Sequence, residues 1–564
     1  MPDRSISTPF GRNVALARLL LDTLSGLGCT RAVICPGSRS TPVAVAADGS
    51  GIDLSIGLDE RAAAFYALGM AKRSGDPVLL VTTSGTAAIE ALPAVAEAAA
   101  SGIPLVVLTA DRPLALQGTG AAQTLDQVTP YGAFAPTVRL ELAGASAEDV
   151  VQAGLRIVSL ALGLPSGPQP VQVNLHVAEP LVAREVVELP PPARLRRPPA
   201  PGIAPLPAAE AVRWFDPGRR GWLVAGGELA GGLGSLGRLS SSLGWPLIAD
   251  ARAGAVGGYL VSHFDPILAA ATGPALLPEV VVVAGEVPAS RPLASWLRRC
   301  RETGGEILQL VERGGYRDPL ALATQFAYAG IEATVSAFAP AGSRPEPLLA
   351  TLDREVAVWL EGELAGYSEP GLARHLAGSL REGELLFVSS SMPIRYLDSF
   401  GGRGPARVLA NRGVNGIDGV VSTFLGAAAA NPSPSVLITG DLTFLYDAAA
   451  LMQLPLPQRA AILVLDNRGG IIFDRVAPAA IVPGPVNERL FVTPHRSDIP
   501  ALVAAAGIDL VPVTSAAGVD ALLAAARGGG FAVGVATFDR EATGTALDRL
   551  YRGAGEVVRR FEAR

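Results

Sequence analysis

The chain has 564 residues, 49% of them hydrophobic and 17% charged, with a net charge of −6 at pH 7. That length exceeds what one core organises and suggests three domains of ordinary size, while the apolar content excludes general disorder. No basic block has the density of a nucleic-acid footprint, and no apolar run approaches the roughly 20 residues that cross a bilayer.

Other classes fall away with these. The cysteines Cys29, Cys35 and Cys300 form no CxxC pair and no disulfide framework, which suits a reducing cytoplasm. The start, with Asp3, Arg4 and Arg12, has no apolar signal-peptide core, so a soluble cytoplasmic protein is expected. His176, His263, His375 and His495 are widely scattered, which argues against a His-based zinc site. Proton transfer is therefore assigned to carboxylates or to a cofactor.

In the first third, Ala32–Cys35, Leu54–Ile56, Val78–Thr82 and Leu105–Thr109 read as strands, each opening into a helical pattern. A proline-rich stretch, Leu189–Pro207, then breaks all periodicity around Arg194, Arg196 and Arg197. Beyond it, Trp222–Ala225 reads as a strand. Gly232, Gly234 and Gly237 match GxGxxG, with Asp250 downstream, but they begin several residues past the strand, where the tight phosphate turn cannot form. A second proline-rich stretch, Pro340–Pro347, introduces strands at Leu385–Val388, Val436–Thr439 and Ala461–Leu465. The fold class is α/β, with three parallel-sheet domains expected at 1–189, 208–339 and 348–564. Continuous apolar strands alternating with helices are covered on both faces and bind ligands at their carboxyl ends.

The strand ends carry the chemistry. Gly440-Asp441-Leu442 and Asp466-Asn467-Arg468-Gly469 follow two successive strands, with Asp441 and Asn467 26 positions apart, about one strand–helix–strand crossover. The Asp441 carboxylate, the Asn467 amide and the Gly469 carbonyl make a hard-oxygen set suited to Mg²⁺ (or Mn²⁺). A helix cap followed by an Asn-Arg-Gly-Gly turn is the competing reading. Glu60, in Gly57-Leu58-Asp59-Glu60-Arg61, opens a helix after a strand. A carboxyl in apolar surroundings there has a raised pKa and can serve proton transfer, although first-turn charge compensation also explains it.

Gly-Asp, a crossover and then Asn resemble the signature of thiamine-diphosphate (ThDP) enzymes, in which a divalent cation anchors the cofactor. Further stretches resemble one family among them, the 2-succinyl-5-enolpyruvyl-6-hydroxy-3-cyclohexene-1-carboxylate (SEPHCHC) synthases of menaquinone biosynthesis. These are Cys35-Pro36-Gly37-Ser38-Arg39-Ser40-Thr41-Pro42, Thr109-Ala110-Asp111-Arg112-Pro113, Gly120-Ala121-Ala122-Gln123, Ser391-Met392-Pro393-Ile394-Arg395, and Asn411-Arg412-Gly413 continuing to Gly416-Ile417-Asp418-Gly419. The resemblance implies a ThDP-binding fold with pyrimidine, Rossmann-like middle and diphosphate domains, and a homodimer or dimer of dimers. Glu60 of one subunit then serves the cofactor bound by another. It implies cofactor contacts from Ser391, Met392, Ile417, Gly440, Leu442, Asp441 and Asn467, with a core isoleucine as the alternative reading of Ile417. It implies decarboxylation of 2-oxoglutarate and conjugate addition of the succinyl-semialdehyde carbanion to isochorismate.

The charge inventory fits these substrates, because guanidinium groups bind carboxylates in a bidentate fork. By the resemblance Ser38, Arg39, Arg112 and Gln123 face isochorismate, while Arg395 and Arg412 hold the 2-oxoglutarate-derived part. Each arginine has a structural ion pair as its ordinary alternative. In the middle segment the family has an adjacent basic pair, of which Ser290-Arg291 keeps only Arg291. A carboligase or decarboxylase of the acetolactate-synthase type is the alternative assignment; it shares Glu60, Asp441 and Asn467 but needs no arginine set.

Overall fold

Short aliphatic runs form eighteen strands among the described residues of the computed structural model, which are 9–164, 167–182, 189, 195, 197, 202–227, 229, 233–253, 257–312, 316–338, 340, 342–401, 404–476 and 481–564. Most of the proline-rich stretch at 189–207, and Gly232 of the GxGxxG match, lie outside them.

The first sheet comprises β1 (Arg31–Ile34), β2 (Asp53–Ile56), β3 (Val78–Thr82), β4 (Leu105–Asp111), β5 (Thr137–Glu141) and β6 (Val171–His176). The second holds β7 (Gly221–Gly226), β8 (Leu247–Ala249), β9 (Leu260–Val261), β10 (Val280–Gly285), β11 (Glu306–Val311) and β12 (Gln325–Tyr328). The third holds β13 (Leu385–Val388), β14 (Arg407–Leu409), β15 (Ser435–Gly440), β16 (Ala460–Asp466), β17 (Asp509–Pro512) and β18 (Phe531–Thr537). All neighbouring strands pair in parallel. Every residue of β3, β4 and β16 is buried, as two-sided helix cover requires. Each buried valine or leucine side chain contributes about 1.5–3 kcal/mol. The expected strands are present, most of them extended by a residue or two.

The strand orders are β2-β1-β3-β4-β6-β5, β12-β11-β10-β7-β8-β9 and β14-β13-β15-β16-β18-β17. The first and third repeat one topology, so β1, β3 and β4 correspond to β13, β15 and β16. The chain reverses direction across the sheet between β1 and β3 and between β13 and β15, where ligand crevices open. The middle sheet has the order of dinucleotide-binding folds, but the turn after β7 is already occupied. Gly227 N–H donates to Asp250 (3.1 Å), and Arg252 pairs with Asp250 (2.7 Å) and Glu286 (2.9 Å). Asp250 is thus engaged with protein groups at the place where a nucleotide ribose needs it.

The chain divides into two compact units. One comprises Met1–Pro201, Asn411–Pro432 and Thr443–Gln458; the other comprises Gly202–Ala410, Ser433–Leu442 and Arg459–Arg564. In the first unit, the helix Glu60–Ser74 is started by Asp59, whose side chain accepts from Ala62 N–H, and is closed by Gly75 at φ +75°. It packs backbone-close against the helix Val420–Ala429. A Cβ at Gly69 would lie 1.9 Å from the Thr423 carbonyl oxygen, and one at Gly426 1.9 Å from that of Tyr66. Alanine at either position therefore forces the pair apart. In the second unit, one apolar core runs from Trp222 and Trp296 of the middle segment to the helices flanking the third sheet.

Candidate active site

In the first unit, Glu60 is half-buried at the first position of its helix. Burial raises its pKa, Asp59 and Glu90 raise it further, and a backbone hydrogen bond opposes them. This is the direction a neutral acid near pH 7 requires. Ser38 is exposed. Arg39 donates to the Val177 carbonyl (3.0 Å) and pairs with the exposed Glu179 (3.0 Å), so its guanidinium is already engaged. Arg112 and Gln123 come together. Arg112 donates through one nitrogen to Ser84 Oγ (2.6 Å) and the Gln123 carbonyl (2.8 Å), while Gln123 Nε2 donates to the Ser84 carbonyl (2.7 Å). Gln123 is exposed and sits at φ +58°.

A buried network holds this arrangement. Asp111 accepts from Arg112 N–H (2.7 Å), Gln117 (3.0 Å) and Asn174 (3.0 Å). Asn174 in turn accepts from Thr109 (2.9 Å), and Gln172 donates to Thr109 (3.1 Å) and the Gln127 carbonyl (2.6 Å). His176 Nδ1 lies 2.7 Å from the Arg112 carbonyl, which only accepts, so Nδ1 carries the proton.

The loop with Arg412 and Ile417 is also in this unit. Glu97 accepts from Gly413 N–H (2.9 Å) and Val414 N–H (2.8 Å), and Lys72 stands 3.6 Å from it, both side chains 1% exposed. Arg412 is half-buried, whereas Ile417 is 36% exposed. Ile417 is therefore not a core isoleucine.

The second unit carries the acidic cluster, which the sheet topology assembles. β13 pairs with β15, and Gly440 of β15 lies opposite Leu465 of β16. Asp441 and Asp466-Asn467 thus leave neighbouring strand ends. Asp441, 3% exposed, accepts from Leu442 N–H (2.6 Å), Gly469 N–H (2.8 Å) and His495 Nε2 (3.1 Å). Burial raises its pKa; the His495, Leu442 and Gly469 hydrogen bonds oppose this, and Asp466 adds to it. Gly469 meets Asp441 through its N–H, while its carbonyl accepts from Ile471 N–H (3.1 Å). Asn467 donates through Nδ2 to Glu369 (2.9 Å), and its Oδ1 is buried with no hydrogen-bond partner among the described residues.

Such an orphaned oxygen costs about 1–3 kcal/mol unless something binds it. Beside it stand two buried carboxylates, Asp441 and Asp466, and the charge of Asp466 adds to the rise in the Asp441 pKa. A hard divalent cation satisfies both defects, so these residues fit Mg²⁺.

Ser391 (φ +72°) precedes the helix Met392–Phe400, and Met392 is buried. Arg395 donates to the Ser391 carbonyl (2.6 Å). Its pKa is lowered by burial, with Asp398 and Asp265 opposing and Arg291 reinforcing the shift. Arg291 is exposed at the start of its helix. Ser290, where the family's second basic residue was expected, caps that helix and donates to Asp265, which also accepts from Tyr551 (2.6 Å).

Sequence reasoning passed over Ser84, Glu369, Asp466 and His495. The ligand atoms of Asp441, Asp466 and His495 lie within 4.8 Å of one another, so one of the scattered histidines does join a metal-capable group. Its spacing gives no sign of this. Asp466 ends β16 and Ser84 lies two residues beyond β3, and this place at a strand's carboxyl end is the one signal that could have found them.

Residues 14–129 match the family described as "Thiamine pyrophosphate enzyme, N-terminal TPP binding domain". The 2-succinyl-5-enolpyruvyl-6-hydroxy-3-cyclohexene-1-carboxylate synthase of Geobacillus thermodenitrificans is 39% identical over 520 residues, 84% of this chain and 84% of that one. Those of Myxococcus xanthus (36%, covering 90% and 91%) and Kineococcus radiotolerans (37%, covering 92% and 94%) are similar over even more of the chain. With that identity extending over nearly the whole length, the chain belongs to the SEPHCHC synthases, ThDP-dependent transferases of menaquinone biosynthesis.

Proposed function

We propose that this enzyme decarboxylates 2-oxoglutarate and joins the resulting four-carbon unit to the ring alkene of isochorismate by conjugate addition, using Mg²⁺ (or Mn²⁺) to hold ThDP. When bound, ThDP supplies the electron sink for loss of CO₂. Asp441 and Asn467, with Gly469, hold the cation, and Ser391, Met392, Gly440 and Leu442 line the diphosphate end. Ile417, free of any core, props the cofactor. Glu60 holds a proton at N1′ of the aminopyrimidine, the role its raised pKa suits. Arg112 and Gln123, with Ser38 and Arg39, receive isochorismate; Glu179 is exposed enough for a substrate carboxylate to displace it from Arg39. Arg395, Arg412 and Arg291 receive the distal carboxylate of 2-oxoglutarate and align the reacting atoms.

We further assign 1–189 to the pyrimidine domain, 208–339 to the middle domain and 348–564 to the diphosphate domain. Two chains, or two pairs, assemble so that Glu60 of one serves the cation site of another. Sedimentation of the 57.7 kDa chain as a monomer at working concentration contradicts that assembly. A cytoplasmic location is supported by three cysteines that are free and buried.

The observation that carries the reading is the buried Asn467 Oδ1, without a partner among the described residues, at the strand end next to Asp441. Mass analysis after incubation with ThDP, Mg²⁺, 2-oxoglutarate and isochorismate tests it. The expected result is one CO₂ released per SEPHCHC formed. Consumption of pyruvate in preference to 2-oxoglutarate, or CO₂ release without adduct, overturns it.

A further inference from the structure

Glu369 is the first residue of the helix Glu369–Ser379, capped by Ser368, and is 1% exposed. Its carboxylate is surrounded by donors: Asn467 Nδ2 at 2.9 Å, Tyr396 Oη at 2.8 Å and Thr543 Oγ1 at 3.4 Å. No lysine or arginine among the described residues pairs with it. A buried carboxylate without a basic partner is costly, so its retention calls for a reason beyond packing.

The reason lies in the two ends of the Asn467 amide. Nδ2 donates and Oδ1 accepts, and rotation by half a turn exchanges them. Glu369 Oε1 takes the donor end. The flipped amide would set two acceptors against each other and send Nδ2 to the side where Oδ1 now stands. On that side Oδ1 has no partner among the described residues. A cation needs an oxygen there, and an N–H₂ repels it.

We propose that Glu369 is a positioning residue which fixes the Asn467 amide with its oxygen toward the divalent cation. It acts through Asn467 and touches neither the cation nor the substrate. Tyr396, in the helix that follows Ser391, and Thr543 donate to the same carboxylate, and neither touches the Asn467 amide. The inference rests on the reading of Asp441 and Asn467 as cation ligands.

Titration of Mn²⁺ into the full-length protein with saturating ThDP, followed by electron paramagnetic resonance, tests it without turnover. Glu369→Leu leaves the amide free to rotate and weakens Mn²⁺ binding by about 10–100-fold, the usual effect of losing a group that orients a ligand. Glu369→Gln keeps an acceptor oxygen for Nδ2 and holds Mn²⁺ within about threefold of wild type. Tyr396→Phe removes the other short contact to Glu369 while sparing the amide, and leaves Mn²⁺ affinity unchanged. A folded Glu369→Leu protein with wild-type affinity overturns the proposal, as does Tyr396→Phe weakening binding equally. Should Glu369→Leu fail to fold, Glu369→Met replaces it, and a Glu369→Gln loss as large as that of Glu369→Met also overturns the proposal. Asp441→Ala separates the two levels. If it binds Mn²⁺ like wild type, the cation reading fails; if it alone loses Mn²⁺, only the role of Glu369 fails.

Discussion

The carboxyl ends of the first and third sheets share one strand topology and differ in how their buried polar groups are satisfied. At the end of β4, Asp111 receives three donors, and every neighbour in the Thr109, Asn174, Gln172 and Gln127 network is paired. At the corresponding end of β16, Asp466 faces Asp441 across His495, and the amide oxygen of Asn467 bonds nothing among the described residues. The same scaffold therefore supports a finished donor surface in one unit and an acceptor-rich site in the other. A complete network rigidifies Arg112 and Gln123 at no further cost, whereas an incomplete one stores free energy that a cation releases. The difference lies in which side chains follow each strand and not in the topology.

The largest test of the contrast is Glu60→Gln. The amide cannot exchange the proton, so turnover falls about 10³-fold or more while ThDP-dependent Mn²⁺ affinity stays near wild type. Steady-state rates and a metal titration read the two separately, and loss of metal binding by this variant would blur the division. A matched pair comes next. Asn174→Leu leaves Asp111 and Thr109 short of partners and lowers unfolding free energy in urea by about 3 kcal/mol. Asn467→Leu in the cation-free protein costs less, about 1–2 kcal/mol, because removal of the orphaned oxygen partly offsets the donor that Glu369 loses. Equal losses from the two would dissolve the contrast.

Another buried acid, Asp447, accepts from Ser422 through the backbone N–H (2.7 Å) and the hydroxyl (3.0 Å). Burial pushes its carboxyl up to about 6 from 3.8, against the Ser422 hydrogen bonds. The folded form thus holds a proton that the unfolded chain releases. Its stabilising contribution is full below 3.8 and is lost as pH rises to about 6, nearly 3 kcal/mol in all. Asp447→Asn therefore flattens the stability profile of the apo protein between those values. An unchanged profile would show that solvent reaches the carboxylate. The smallest effect is Arg112→Lys, whose single ammonium cannot offer a substrate carboxylate the second, parallel donor of a guanidinium fork. It lowers kcat/KM for isochorismate about tenfold with little change for 2-oxoglutarate.

Much of this contrast is legible in the sequence. Runs such as Val78–Thr82 and Ala460–Asp466 are apolar without alternation because both faces are covered, so their ends, and with them Arg112, Asp441 and Asn467, can be located by reading alone. Glu369 and His495 cannot. Glu369 opens a helix beginning Ser-Glu-Pro that looks like any capped surface helix, and His495 follows Pro494 in a loop. Their importance comes from tertiary approach to residues distant in the chain. The grouping of Asn411–Pro432 with the first unit is equally hidden. It depends on Gly69 and Gly426 meeting opposite backbones, and the helix Val420–Ala429 is apolar enough to have packed anywhere.

Anomalous diffraction from crystals grown with ThDP and Mn²⁺ most directly tests whether the third-sheet cluster is a cation site in waiting. The account predicts one manganese peak at bonding distance, about 2.0–2.2 Å, from the Asp441 carboxylate and from Asn467 Oδ1, with Asn467 Nδ2 still on Glu369. A peak held by Asp441, Asp466 and His495 with Asn467 turned away, or no peak near β15 and β16, would contradict it.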